Sequence, residues 1–184
     1  MARTPSNMLA LGTQAPGFQL ADTVSGKIMS LSEFASDKAT LIMFICNHCP
    51  FVIHVHPQLT GIAKDYQEKG LSVIAISSND VVNYPQDGPD KMKLLAEKLA
   101  FSFPYLYDEN QEVDKAYQAA CTPDFYLFDG DQKLVYRGQL DGSRPGNQVP
   151  LTGEDLRAAI EAVLSGEAVN SDQKPSLGCN IKWK

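Results

Sequence analysis

Hydrophobic positions along the chain fall into short unbroken runs, separated by stretches with helical spacing and by polar turns. Two runs stand out, Ala39 to Cys46 (ATLIMFIC) and Leu71 to Ser77 (LSVIAIS). A strand that is apolar at successive positions buries both faces, as strands inside a parallel sheet do. Between the two runs, Pro50 to Lys69 reads as a helix stopped by Gly70, and Pro57 inside it predicts a kink. Lys91 to Ala100 carries helical spacing in Met92, Leu95, Ala96 and Leu99. Tyr105 to Tyr107 predicts a short strand, and Glu112 to Ala119 a helix. Phe125 to Phe128 is a strand that turns at Asp129-Gly130 into Lys133 to Gly138, and Thr152-Gly-Glu-Asp opens a last helix to about Leu164. Upstream, Phe18 to Asp22 and Ile28 to Leu31 suggest a hairpin around Gly26, and Ser32 and Glu33 open a short helical turn. Residues 1–11 read as a loose arm, residues 83–90 as a turn-rich insertion, residues 142–150 as a polar loop and residues 166–184 as a tail. The order of elements predicts an α/β fold, a mixed β-sheet flanked by helices on both faces, with an N-terminal hairpin and a C-terminal tail. Ligand chemistry is then expected at the carboxyl ends of the parallel strands, where Cys46, Cys49 and Asp80 fall.

Composition narrows this picture. At 184 residues the chain reads as one domain, residues 1–184, with a core over about 12–165. The hydrophobic fraction of 43% and charged fraction of 21% are those of an ordinary globular protein. A net charge of −6 argues against nucleic acid or an anionic membrane as partner. The opening MARTPSNMLALGTQ has no apolar h-region, and no apolar run reaches the roughly 18–20 residues of a membrane span, so a cytoplasmic location is expected. Oligomeric state, monomer or homodimer, stays open.

The four cysteines are too few for a disulfide scaffold in a chain this long. Cys46 and Cys49 form a C-x-x-C pair between a buried strand and a helix, a pattern tied to redox or metal chemistry. No second C-x-x-C exists to complete a four-thiolate zinc site. A thiol at a helix N-terminus meets unpaired backbone N–H groups and the positive end of the helix dipole, both of which favour the thiolate. Pro50 suits the first helical position, where its missing N–H costs nothing. A redox-active cysteine follows from this stretch.

The stretch FICNHCPFV, followed farther along by CTPDFYLFD, resembles the thioredoxin superfamily. ISSND, DGPDKM, DGSRPGN and GCNIKW resemble motifs of its peroxiredoxin-like branch, related to alkyl hydroperoxide reductase and thiol-specific antioxidant enzymes. The resemblance implies a thioredoxin-like, peroxiredoxin-type fold and a thiol–disulfide oxidoreductase that reduces disulfides or peroxides. It implies no cofactor, and electrons from an external thiol donor of thioredoxin or glutathione type. Aligned on Phe44, the thioredoxin pattern puts Cys49 on the attacking cysteine, Val52 on its usual partner and Met43 in place of the buried carboxylate. Cys46 is then a candidate resolving partner from the turn before the helix. Thr122 and Pro123 resemble the cis-proline loop, which would offer the Thr122 backbone for strand-like pairing with a substrate peptide. The peroxiredoxin pattern Pro-x-x-x-Thr-x-x-Cys is absent whether counted back from Cys49 or from Cys46, so peroxidase chemistry by the usual pocket is not expected.

Other residues carry two readings each. Cys121 is a third site thiol or a small packed residue. Cys179 is a distal resolving cysteine, or else part of a tail that Ile181 and Trp183 anchor. Arg144 steadies a thiolate or an anionic substrate, or is a solvated loop residue. His48, beside Cys49, assists the thiolate if protonated. With His54 and His56 it invites a metal reading, but helical positions two apart face different ways, and no metal is assigned. The rival in a different class is a non-enzymatic binding or redox-sensing module. An ordinary thiol pKa at Cys49 would distinguish it.

Overall fold

The central strand β4 (Ala39–Phe44) is buried at all six positions, and the rest of the sheet is laid out from it. In the computed structural model, which describes residues 3–184, β4 pairs in parallel with β5 (Leu71–Ser77) and antiparallel with β8 (Asp124–Asp129). On one side the sheet continues through the parallel β6 (Tyr105–Tyr107) to the hairpin β2 (Gln19–Asp22) and β3 (Ile28–Ser30). On the other side it ends at β9 (Leu134–Gly138), giving the order β3-β2-β6-β5-β4-β8-β9. The mixed sheet and the hairpin about Gly26 are as the apolar runs predict.

The period of two explains how one unbroken apolar run serves two cores. Leu41 and Met43 point to the face covered by α2 (Pro50–Tyr66), α3 (Pro89–Lys98) and α5 (Glu154–Leu164), among Leu59, Ile62, Met92, Leu156 and Ile160. Ile42 and Phe44 point to the opposite face, toward α1 (Leu31–Phe34) and α4 (Glu112–Tyr117). There Tyr117 lies with its ring centroid 5.5 Å from Phe44 and 5.9 Å from Tyr126. Each such side chain contributes about 1.5–3 kcal/mol on leaving water. The site stands on the most heavily buried part of the molecule.

Helix α2 runs through Pro57 without interruption and passes into a 3₁₀ turn, Gln67–Lys69, ended by Gly70 at φ 110°. The N-terminal arm differs from expectation. Residues 3–5 form β1 (Arg3–Pro5), which pairs antiparallel with β10 (Leu177–Asn180). Strand β10 also pairs with the two-residue β7 (Cys121–Thr122), so a second, three-stranded sheet ties both chain ends to the site. The arm contains too few apolar residues to predict its order; the open edge of β10 supplies its backbone partners. Residues 1–2, the start of the expected arm, lie outside the described residues.

Candidate active site

After Phe44 the chain keeps one more ladder bond, Ile45 N–H to the Ile76 carbonyl at 2.9 Å, and then turns at Cys46 to Cys49. Cys49 is the capping residue of α2 and Pro50 takes the first helical position. The turn is held by Asp87, which is wholly buried. Its Oδ1 accepts the backbone N–H of Asn47 at 2.8 Å and of His48 at 3.2 Å. Its Oδ2 accepts the Asn79 amide at 2.8 Å and lies 2.6 Å from His48 Nδ1. Asn47 adds bonds to the Gln86 carbonyl and from the Tyr105 hydroxyl, and His48 stacks on Tyr84. A carboxylate with four donors fixes the turn far more firmly than the N-H-C-P sequence does.

Cys49 Sγ lies 3.2 Å from the Thr122 carbonyl oxygen and 2.9 Å from Cys179 Sγ. Its pKa is lowered to about 5, first by the Cys46 thiol donating toward it, against the opposing effect of burial. The Cys179 thiol and the backbone N–H groups of Val52 and Cys179 lower it further. Val52 is the third residue of α2, so its N–H is one of the unpaired donors of the first helical turn. Of the three neighbouring thiols, Cys49 is the one its surroundings push toward the thiolate, while the other two are pushed toward the protonated form. Cys46 is raised well above the ordinary range, chiefly by its bond to Cys49 and then by burial. Cys179 is raised to about 12 by burial and then by Cys49.

The Thr122–Pro123 peptide bond is cis, as the resemblance implies. The Thr122 hydroxyl lies 3.3 Å from Cys46 Sγ, while its carbonyl faces Cys49. The four predicted site residues, Cys46, Cys49, Thr122 and Pro123, thus converge at the carboxyl end of β4 and the start of β8. The fifth participant, Cys179, arrives from the tail. In β10 it stands opposite Thr122, with Asn180 opposite Cys121. Gly178 makes this approach possible, since a Cβ there would collide with the Thr122 carbonyl. Beyond β10, Ile181 is buried, the Lys182 N–H donates to Asn79 Oδ1 at 2.9 Å and the Lys182 carbonyl accepts from Asp80 N–H at 2.8 Å. Gln111 clips the same segment from α4 by donating to the Lys182 carbonyl at 2.8 Å. Trp183 is half exposed, with Lys115 over its ring, so Ile181 rather than Trp183 anchors the tail.

Other predicted residues sit elsewhere or do less. Cys121 is buried with its pKa pushed up by burial and by Asp124, and it packs rather than reacts. Arg144 is turned inward and bonds the Asp141 and Ser143 carbonyls and Gln139 Oε1, so it braces its loop. His54 bonds Ser143, and His56 is half-buried with its pKa lowered by burial. Among the described residues, ligand-type atoms of Cys46, His48 and Asp87 lie within 4.8 Å of one another. Both Asp87 oxygens already serve two donors each and Cys46 holds its proton, so this cluster is a hydrogen-bonded turn and a poor metal cage. Asp87 and Asn79 were not legible as site residues. The only sequence signals are the DGPD turn and the polar SND at the end of β5, and neither names its partner.

Comparison with known proteins places the chain in a family and a fold. The family model described as AhpC/TSA matches residues 11–137. A solved structure of an uncharacterized conserved protein from Geobacillus kaustophilus is 59% identical, covers 100% of this chain and 97% of its own, and superposes with a TM-score of 0.99. A hypothetical protein from Sinorhizobium meliloti is 48% identical over 98% of each chain, with a TM-score of 0.96. The curated thiol-disulfide oxidoreductase ResA of Geobacillus thermodenitrificans is 24% identical over 162 residues, covering 87% of this chain and 82% of the relative. The thioredoxin domain of a thiol-disulfide oxidoreductase from Bacteroides vulgatus, 22% identical over 71% of this chain and 89% of its own, shares the fold at a TM-score of 0.61. The match over residues 11–137, which carries β4, the Cys49 turn and the cis-proline loop, makes this chain a member of the AhpC/TSA family, on a thioredoxin-like fold.

Proposed function

We propose that the protein is a thiol–disulfide oxidoreductase in which Cys49 is the nucleophile. Thiol–disulfide oxidoreduction is the reaction class shared by the curated relatives and this site. The observation that carries it is the Cys49 sulfur, a thiolate with a pKa of about 5 at the start of α2, facing the Thr122–Pro123 loop. The thiolate attacks one sulfur of a substrate disulfide, forming a mixed disulfide and releasing the other sulfur as a thiolate that takes a proton from solvent. A neighbouring thiol then displaces the bound half, and an external dithiol donor returns the site to its reduced form. Cys46 supplies the hydrogen bond that holds the thiolate, and Thr122 fixes Cys46 through its hydroxyl.

Peroxide is the second reading. Cys49 is fully buried, so a small oxidant reaches it more easily than a folded protein does. The product would be a sulfenic acid at Cys49. The decisive experiment measures the rate of reduction of a small aromatic disulfide against pH. A midpoint near 5 that disappears in Cys49→Ser supports the proposal. No turnover at any pH, with a Cys49 thiolate absorbance titrating in the ordinary thiol range of about 8.5, refutes it and favours a non-enzymatic module.

A further inference from the structure

The tail seats itself where the cis-proline loop would pair with a substrate strand. Cys179 stands directly opposite Thr122 in antiparallel register, and its sulfur is 2.9 Å from Cys49 Sγ. Gly178, the one residue type that fits against the Thr122 carbonyl, lies just before it. Both thiols are buried, Cys49 at 0% and Cys179 at 2% exposure, so an incoming peptide cannot reach Cys49 while β10 is in place. We propose that β10 is a built-in substrate strand: it fills the peptide seat beside Thr122 and presents Cys179 as the thiol that resolves the Cys49 mixed disulfide, and an outside peptide gains the seat only when the tail leaves. This rests on the reading of Cys49 as nucleophile given above.

The chemistry balances. Cys49 S⁻ attacks R–S–S–R′ to give Cys49–S–S–R and R′S⁻, which is protonated by solvent. Cys179 then attacks Cys49 Sγ, the bond to R breaks, and the Cys179 proton passes to the departing RS⁻. The substrate disulfide is reduced to two thiols, and Cys49 with Cys179 is oxidised to one disulfide. An external dithiol reverses the last bond and is itself oxidised. Two of the influences that hold the proton on Cys179, its bond to Cys49 and the Cys49 charge, vanish once Cys49 is in the mixed disulfide, while Lys182 continues to favour the thiolate. Cys179 thus becomes a better nucleophile at the step that needs it.

The test uses the reduced full chain and 5,5′-dithiobis(2-nitrobenzoate), with the coloured thiol followed by stopped flow and the disulfides mapped by mass spectrometry. Wild type is expected to release about two equivalents rapidly and to end with a Cys49–Cys179 bond, whereas Cys179→Ser stops at about one with the label on Cys49. Two equivalents in Cys179→Ser, with a Cys46–Cys49 bond, would overturn the resolving role while leaving Cys49 as nucleophile. No release in wild type and in Gly178→Val alike, or an undiminished first release in Cys49→Ser, would overturn the nucleophile itself. Gly178→Val, which unseats β10 and leaves all thiols present, should speed the first release roughly tenfold, as removal of a closed majority state does, and slow the second. An unchanged first release in that variant would show that the tail does not guard the seat.

Discussion

Cys49 and Cys121 are both fully buried thiols beside the same cis-proline loop, yet they are driven in opposite directions. Cys121 meets burial and the charges of Asp124 and the other thiols, all of which push its pKa up. Cys49 suffers burial too, but the Cys46 and Cys179 thiols and the N–H groups of Val52 and Cys179 point donors at it, and its pKa falls to about 5. Burial by itself makes an inert thiol. Donors arranged around a buried sulfur make a thiolate, and in a dry site each donor acts with more force than in water.

The strongest way to break this comparison is to exchange the two sulfurs for oxygen. Cys49→Ser should lower disulfide reduction by on the order of a thousandfold or more, since the hydroxyl is neither ionised nor a comparable nucleophile, while Cys121→Ser should change it less than about twofold. Steady-state assays of the two variants settle which thiol reacts, and equal losses would end the contrast. Removing the carboxylate beneath the turn comes next. Asp87→Ala strands the Asn47 and His48 N–H groups and should cost about 3 kcal/mol, read as a lower urea midpoint at unchanged m. A cost below about 0.5 kcal/mol would mean that water replaces the carboxylate.

Taking away the leading donor sharpens the comparison further. In Cys46→Ala the Cys49 titration, followed by thiolate absorbance, should move upward by more than about one unit. The same change has a stability signature. A thiol at about 5 when folded and about 8.5 when unfolded contributes stability that is fully present above 8.5 and lost as pH falls toward 5. The reduced wild type should therefore lose more Tm between pH 9 and pH 5 than Cys46→Ala does, and equal losses would show that Cys46 is not the controlling donor. The smallest effect is expected from Thr122→Val. It removes only the hydroxyl 3.3 Å from Cys46 Sγ and should move the Cys49 midpoint by less than about half a unit.

Much of the scaffold was legible because burial on two faces leaves a clear mark. Strands β5 and β6 were predicted at their observed bounds, and the run ending at Cys46 predicted β4. The helix cap at Cys49 was legible because Pro50 announces a first helical position. The final helix was expected from Thr152-Gly-Glu-Asp, yet its capping residue is Gly153, and Asp141, at the other end of the same loop, accepts the Thr152 N–H at 2.8 Å and the Gly153 N–H as well. Such a bond leaves no periodic trace. The same is true of Asp87 and Asn79, polar turn residues that bond each other and reach Asn47, His48 and Lys182 from other segments.

The sequence by itself determined the sheet, the two cores and a thiol at the start of a helix, because these follow from local spacing and from the first turn's unpaired N–H groups. The tertiary structure decided what surrounds that thiol. Thr122 sets its hydroxyl 3.3 Å from Cys46 Sγ, Cys179 comes from the far end of the chain to lie 2.9 Å from Cys49 Sγ, and Gly178 lets the tail pass the Thr122 carbonyl. The contacts made by Cys179 and Gly178 join residues far apart in sequence. Whether a buried sulfur keeps or loses its proton depends on which groups the fold brings to it, and the motif around Cys49 does not encode them.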